Sequence, residues 1–164
     1  MLEDRHLEVN YIISKATKDD IVGIYNLLHR EFVKKYSPNS EKSEWEKHKK
    51  WYEFWLKSPY YLIYVVKDLK GKVVGQIRYE IDGEISIISI YLDKENRGKG
   101  LGKIFIEKSI EELKFEKDHV KLILAYILEE NDISKKMFLN FGFLFSEKKN
   151  YNGIEHLIYT KKIR

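Results

Sequence analysis

The sequence predicts an α/β fold built on one mixed, mostly antiparallel sheet of about seven strands, and two observations carry that reading. First, the turn signals Asp68-Leu69-Lys70-Gly71, Asp82-Gly83 and Asn152-Gly153 each lie between two strand-like runs, which makes hairpins and therefore antiparallel neighbours. Second, a run from Glu84 to Leu92 leads through a glycine-rich loop into a helical pattern and then to another strand, Val120 to Leu128. A crossover of that kind joins parallel strands with a right-handed turn, so one pair of the sheet runs parallel.

The elements follow in order. A strand is expected over Val9 to Lys15, and Thr17-Lys18-Asp19-Asp20 has the spacing of a capping box that opens a helix. Ile21, Ile24, Tyr25, Leu28 and Phe32 fall on one face of that helix, and a loop with Pro38 ends it. Ser43-Glu44-Trp45-Glu46 offers a second capping box before an aromatic helix that runs through Leu56 and closes at Pro59. Strands Tyr60 to Lys67, Lys72 to Ile81 and Glu84 to Leu92 come next, then a helix whose buried stripe is Ile106, Ile110 and Leu113. After the strand ending at Leu128, Asn131 or Asp132 caps a helix carrying Ile133, Met137 and Phe141, and Gly142 is placed to stop it. A last hairpin pairs Phe143 to Lys148 with Ile154 to Thr160.

The 164 residues suit a single domain over 1–164, since nothing in the sequence reads as a repeat, a linker or a low-complexity segment. The net charge of +4 arises from 30 basic and 26 acidic residues interspersed along the same segments, which favours a small anionic ligand over nucleic acid. The absence of cysteine removes disulfides, thiolate metal sites and a thiol nucleophile, and no metal is expected. The longest apolar runs, Tyr60 to Val66 and Leu122 to Leu128, fall far short of the roughly 18 residues of a membrane span. The charged start Met1-Leu2-Glu3-Asp4-Arg5-His6 is unlike a signal peptide, so a cytoplasmic location without membrane partners is expected.

Gly98, Gly100 and Gly102 let the backbone approach a ligand and aim successive amides into one concavity at the start of a helix. Free amides and the positive end of the helix dipole favour phosphate, and Arg97, Lys99 and Lys103 add charge, although the glycine spacing alone suits an ordinary turn equally well. Ile104 stands where a Walker loop needs Ser or Thr, and Lys103 stands where a dinucleotide fingerprint needs its third glycine.

Arg97-Gly98-Lys99-Gly100-Leu101-Gly102 after a strand resembles the acyl-CoA loop of the GNAT superfamily of N-acetyltransferases, usually written Q/R-x-x-G-x-G/A. Asn131, Ser134 and Gly142-Phe143 stand at the spacing of that superfamily's second block, and the order of elements is similar from end to end. The resemblance implies helices on both faces of the sheet, acetyl-CoA as cosubstrate, and direct transfer of its acetyl group to a primary amine in a ternary complex. It implies that the backbone of Ile90, Tyr91 and Leu92 pairs with pantetheine, where the parallel strands splay. The amides from Arg97 to Lys103, including that of Leu101, would hold the pyrophosphate, with Asn131 and Ser134 reaching the carrier unless they serve only as cap and polar face.

By the same resemblance the Leu92 amide would stabilise the oxyanion. Many relatives have a tyrosine as thiolate acid where this chain has Phe138, and a strand glutamate where it has Tyr126. Tyr126 is therefore the first candidate acid, ahead of Tyr91 and Tyr151. Glu84, by strand parity with Ser86, Ile88, Ile90 and Leu92, is a candidate base acting through water, or else a solvated hairpin glutamate. The segments around Trp45 to Tyr52, Gly75 to Tyr79 and Ser134 to Phe138 are similar to the branch that acetylates amino groups on nucleotide-linked sugars. In that branch His48, Gln76 and Arg78 would face the acceptor. Transfer to peptide N-termini or lysines, and a non-catalytic acyl-CoA-binding module, are the alternatives; monomer and homodimer are both compatible.

Overall fold

A computed structural model describes residues 10–29, 45–98 and 100–164, so the expectations on Val9, Phe32, Pro38, Ser43, Glu44 and Lys99 lie outside the described residues. The strands are β1 (Tyr11–Lys15), β2 (Tyr61–Asp68), β3 (Val73–Asp82), β4 (Ile85–Leu92), β5 (Leu122–Leu128), β6 (Leu144–Tyr151) and β7 (Ile154–Lys162). They form one seven-stranded sheet in the order β1-β2-β3-β4-β5-β7-β6. Every neighbouring pair is antiparallel except β4 with β5, the crossover pair. The helices are α1 (Ile21–Leu28), α2 (Trp45–Lys57), α3 (Leu101–Glu116) and α4 (Asp132–Asn140).

Strand periodicity sends alternate residues to the two faces, and each face has its own core. Tyr64, Val66, Ile77, Tyr79, Ile88, Ile123 and Ala125 pack with Phe105, Ile106 and Leu113 of α3 and Phe138 of α4. On the other face Ile63, Val65 and Val73 pack with Ile21, Ile24 and Leu27 of α1 and Tyr52 of α2. Helices thus cover both faces, as the resemblance implied. One buried polar pair ties α3 to the middle of the sheet. The Ser109 hydroxyl donates to the Ile106 carbonyl at 2.9 Å, which leaves it as acceptor for the Tyr79 hydroxyl 2.7 Å away. Burial holds the Tyr79 phenol well above its ordinary pKa, so this donor keeps its proton.

Local chemistry sets the ends of the elements. The Thr17 capping box is present, with the Asp20 carboxylate accepting from the Thr17 amide at 2.9 Å, and it starts a short 3-10 turn that runs into α1. At the end of α4 the Gly142 amide donates to the Leu139 carbonyl and the Phe143 amide to the Phe138 carbonyl, with Gly142 at φ 88°, a glycine-terminated helix stop.

The hairpin after β3 differs from expectation by one residue. Asp82 pairs with Ile85, so the two turn residues are Gly83 and Glu84, not Asp82 and Gly83. Gly83 takes a positive φ of 62° and Glu84 does not, which is the pattern of a II′ turn with glycine first. Glu84 therefore leaves the strand in which parity had placed it.

Helix α1 lies so close to the sheet that a Cβ on Gly23 would come within 2.6 Å of Val73 Cγ2. Alanine gains up to about 1 kcal/mol of helix propensity over glycine, but overpacking a close contact costs about 1–3 kcal/mol. Because Val73 is 5% exposed and held in a paired strand, the clash wins. Gly23→Ala is expected to lower the urea midpoint by the equivalent of about 1–2 kcal/mol, and an unchanged or raised midpoint would contradict this contact.

Candidate active site

The parallel ladder between β4 and β5 runs from Ile85 opposite Leu122 only as far as Ile88 opposite Ala125. Beyond that point the strands part, and a cleft of about 610 Å³ opens between Ser89 to Leu92 on one side and Tyr126 to Leu128 on the other. Its far end is the glycine loop and the first turn of α3, with Arg97, Gly98, Gly100, Gly102 and Lys103 in the lining. α4 closes one flank through Asn131, Ser134, Lys136, Met137, Phe138 and Phe141. Among the described residues, no carboxylate lines it.

Backbone geometry gives the cleft its donors. The Asp93 amide donates to the Val74 carbonyl at 2.7 Å, so by strand alternation the amides of Leu92 and Ile90 turn away from β3 and toward the cleft. Gly98 and Gly100 adopt positive φ values of 74° and 77°, and Gly100 is the N-cap of α3. The first amides of the helix, from Leu101 to Lys103, have no carbonyl one turn earlier within the helix, and the helix dipole puts positive potential there. Arg97 Nε donates to the Leu92 carbonyl at 3.0 Å, fastening the loop to the end of β4. Asn131 caps α4 by accepting from the Ser134 amide at 3.1 Å, so its amide nitrogen is the end that can serve a ligand.

The structure thus brings together Ile90, Tyr91, Leu92, Arg97, Gly98, Gly100, Gly102, Lys103, Tyr126, Asn131 and Ser134. Leu101 lies beneath the loop, 1% exposed, and serves the core with its side chain. Phe138 packs edge-on against Phe143 with ring centroids 4.9 Å apart and floors the cleft, so the position that carries a tyrosine in many relatives is apolar here.

Four other expected residues, Glu84, His48, Gln76 and Arg78, do not join this set. Glu84 sits in the turn at the opposite end of β4, eight residues and about 25 Å from Leu92. Its carboxylate is exposed and meets Lys121 Nζ at 3.3 Å, so it is the solvated hairpin glutamate and not a base in the cleft. His48 is a packing residue: Nε2 lies 3.2 Å from the Ile21 carbonyl, and its ring stacks on Tyr52 at 4.3 Å and meets Tyr25 edge-on at 5.0 Å. Gln76 is fully buried beneath α2 and accepts from the Tyr52 hydroxyl at 2.7 Å. Burial holds the Tyr52 phenol above its ordinary pKa, with Arg78 opposing, so Tyr52 remains the donor of this bond. Arg78, the third member of the expected acceptor set, is half-buried with its guanidinium 4.3 Å over the Trp55 ring. It stands on the sheet face that α2 covers and is not part of the cleft wall.

The cleft also contains residues that the sequence reading did not select: Met137, Phe141, Lys136, Ile154 and His156. His156, on β7, meets the Tyr126 ring edge-on at 6.0 Å and the Tyr151 ring at 5.9 Å. Its position is set by the order β5-β7-β6, which no local sequence signal announces. Among the described residues no three His, Cys, Asp or Glu side chains form a metal-binding group, and no helix is long and apolar enough to cross a membrane.

The model of the acetyltransferase (GNAT) family matches residues 21–143, more than half of the chain. An uncharacterized N-acetyltransferase of Methanocaldococcus jannaschii is 28% identical over 163 residues, covering 93% of this chain and 68% of that protein. Among solved structures, the ribosomal-protein-S5-alanine acetyltransferase of Vibrio fischeri superposes with a TM-score of 0.77 at 20% identity, covering 98% of this chain and 94% of that one. An aminoglycoside acetyltransferase in complex with coenzyme A does so with a TM-score of 0.77 at 17% identity, covering 93% and 95%. At these identities the structural likeness is one of fold.

Burial of the His48 ring lowers its pKa from 6.5 to about 4, with the bond to Ile21 opposing and His29 adding to the fall. In the unfolded chain this imidazole takes its proton near 6.5, whereas the folded chain resists it down to about 4, so the unfolded state binds more protons between those values. Stability is therefore expected to decline as pH falls from about 6.5 to about 4, and His48→Gln to flatten that decline in urea titrations. Parallel declines in the two proteins would show that His48 does not titrate in this way.

Proposed function

Since this chain belongs to the acetyltransferase (GNAT) family and is an N-acetyltransferase, we propose that it transfers the acetyl group of acetyl-CoA to a primary amine, bound at the open end of the cleft, in one ternary complex. The observation that carries this reading is the split between β4 and β5 in line with the N-terminus of α3. A diphosphate fits the glycine loop and the helix amides, since a helix N-terminus with no acidic residue in its first turn is a ready anion site. Pantetheine, an extended chain of amides, fits between the parted strands, where it would pair with the backbone of Ile90 and Leu92 in place of the missing ladder. Asn131 and Ser134 stand beside that path, and Lys103 adds charge at its anionic end.

With the carrier so placed, the thioester lies near Tyr126. Attack by a neutral amine forms the C–N bond and an oxyanion, which the Leu92 amide is oriented to receive. Collapse of the intermediate breaks the C–S bond, and the thiolate takes a proton. Tyr126 is the proposed donor: it lines the cleft, and its phenolic hydroxyl can give a proton.

The finer proposal is an amino sugar as acceptor. Its support is the aromatic character of the open end, where Tyr126 and Tyr151 meet with ring centroids 5.5 Å apart and can stack on a sugar ring. An aminoglycoside acetyltransferase is among the proteins of like fold. His48 and Gln76 lend this reading no support, because the core occupies both.

The test joins calorimetric titration of coenzyme A with release of free thiol from acetyl-CoA across glucosamine, an alanine-terminated peptide and spermidine. Binding with thiol release to at least one amine is the expected result; binding without release would mark a non-catalytic module, and acetylation of the peptide alone would remove the amino-sugar reading. Gly102→Val is expected to weaken coenzyme A binding at least tenfold with little change in melting temperature. The nearest atoms to a Cβ there belong to Leu92, Met137 and Phe141 at 3.7–3.9 Å, an ordinary contact, but a larger side chain enters the cleft.

A further inference from the structure

We propose that His156 is the general base that deprotonates the acceptor amine, an inference that rests on the transfer reading above. The argument begins with its ring nitrogens. His156 Nδ1 lies 3.0 Å from the carbonyl oxygen of Ile154. A carbonyl can only accept, so Nδ1 carries the proton in this contact, and the neutral ring keeps its lone pair on Nε2. The backbone of β7 thus selects the tautomer whose outer nitrogen is basic, the task a buried carboxylate performs in a Ser-His-Asp triad.

The surroundings place the His156 ring at the cleft. His156 lines the cleft, and its ring touches those of Tyr126 and Tyr151 edge-on at 6.0 and 5.9 Å. Tyr126 is on β5, which pairs with β7, so the imidazole and the proposed acid stand on neighbouring strands. The charged and titratable groups facing His156 are Tyr126 from β5, Lys149 and Tyr151 from β6, and Lys136 from α4 across the cleft. Lys149 is its cross-strand partner and holds its ammonium 5.9 Å over the Tyr126 ring. Among the described residues no carboxylate lines the cleft, and with Glu84 at the far hairpin His156 is the one imidazole among the described lining residues.

The proton balance closes without a further reactant. An acceptor arriving as an ammonium gives one proton to Nε2, which passes it to water. The neutral amine attacks, the C–N bond forms, and the second surplus proton on nitrogen goes to the regenerated Nε2. When the C–S bond breaks, Tyr126 protonates the thiolate and is reprotonated from the imidazolium beside it, so the products are the amide, the free thiol and one proton in solution.

The experiment measures kcat/KM against pH with acetyl-CoA and the best acceptor among glucosamine, an alanine-terminated peptide and spermidine, for the unaltered protein, His156→Gln and His156→Ala. His156→Gln is expected to lose about 100-fold or more in kcat/KM, chiefly through kcat, and to lose the acid limb of the profile, while coenzyme A titrates as before. Added imidazole is expected to restore part of the rate to His156→Ala, a recovery that a purely structural role would not give. Profiles of both variants that superimpose on that of the unaltered protein, or a loss confined to KM, overturn the assignment and leave the transfer reading standing. Unaltered protein that binds coenzyme A but releases no thiol with any of the three amines overturns the transfer reading, and this assignment with it. If His156→Gln binds coenzyme A poorly, the rescue of His156→Ala decides: recovery upholds the base, and no recovery rejects it.

Discussion

The separation of β4 from β5 after Ile88 and Ala125 is the constraint on which the rest of the site depends. Backbone amides and carbonyls need partners wherever water is scarce, and a sheet normally supplies them strand to strand. Here two strands diverge while their backbones still face each other across the cleft, so the amides of Ile90 and Leu92 present an unfilled ladder. An extended, amide-bearing ligand answers that need, and the helix that begins where the cleft ends offers its free amides to a terminal anion. The sheet and helix therefore define one continuous track with a polar chain at one end and a charge at the other.

Rigidity for this track comes from both faces of the sheet. Tyr79 and Ser109 bind the underside of β3 to α3, and Tyr52 and Gln76 bind its upper side to α2. In each case a buried phenol donates to an oxygen with no competing water, a bond that is costly to break without replacement. Arg97 does the corresponding work at the surface, where its hold on the Leu92 carbonyl keeps the loop in register with the strand whose amide it adjoins.

Much of this was legible in the sequence because local chemistry determined it. Asn152-Gly153, the Thr17 capping box and Gly142 act through their own backbone preferences, and each behaves in the fold as its residue type requires. The glycines of the loop belong to the same class. The readings that failed depended on partners distant along the chain. Asp82-Gly83 suits one turn type and Gly83-Glu84 another, and the pairing of β3 with β4 selected the second, carrying Glu84 out of the strand. His48 and Gln76 look like exposed polar residues until α1 and α2 are packed on the sheet, when the first meets Ile21 and the second Tyr52. His156 went unnoticed for the converse reason: it follows a polar hairpin, and only the insertion of β7 between β5 and β6 sets it beside Tyr126.

The strand order also bears on the sequence in which the chain assembles. Three of the six neighbouring pairs, β2 with β3, β3 with β4 and β6 with β7, are joined by hairpins, whose closure entropy is small, whereas the union of β4 with β5 must span the whole of α3. Contacts between remote segments form slowly because their ordering cost precedes their reward. Loop-closure entropy thus favours the hairpins over the parallel seam, and the recess beside that seam takes its shape only once both of its walls are built.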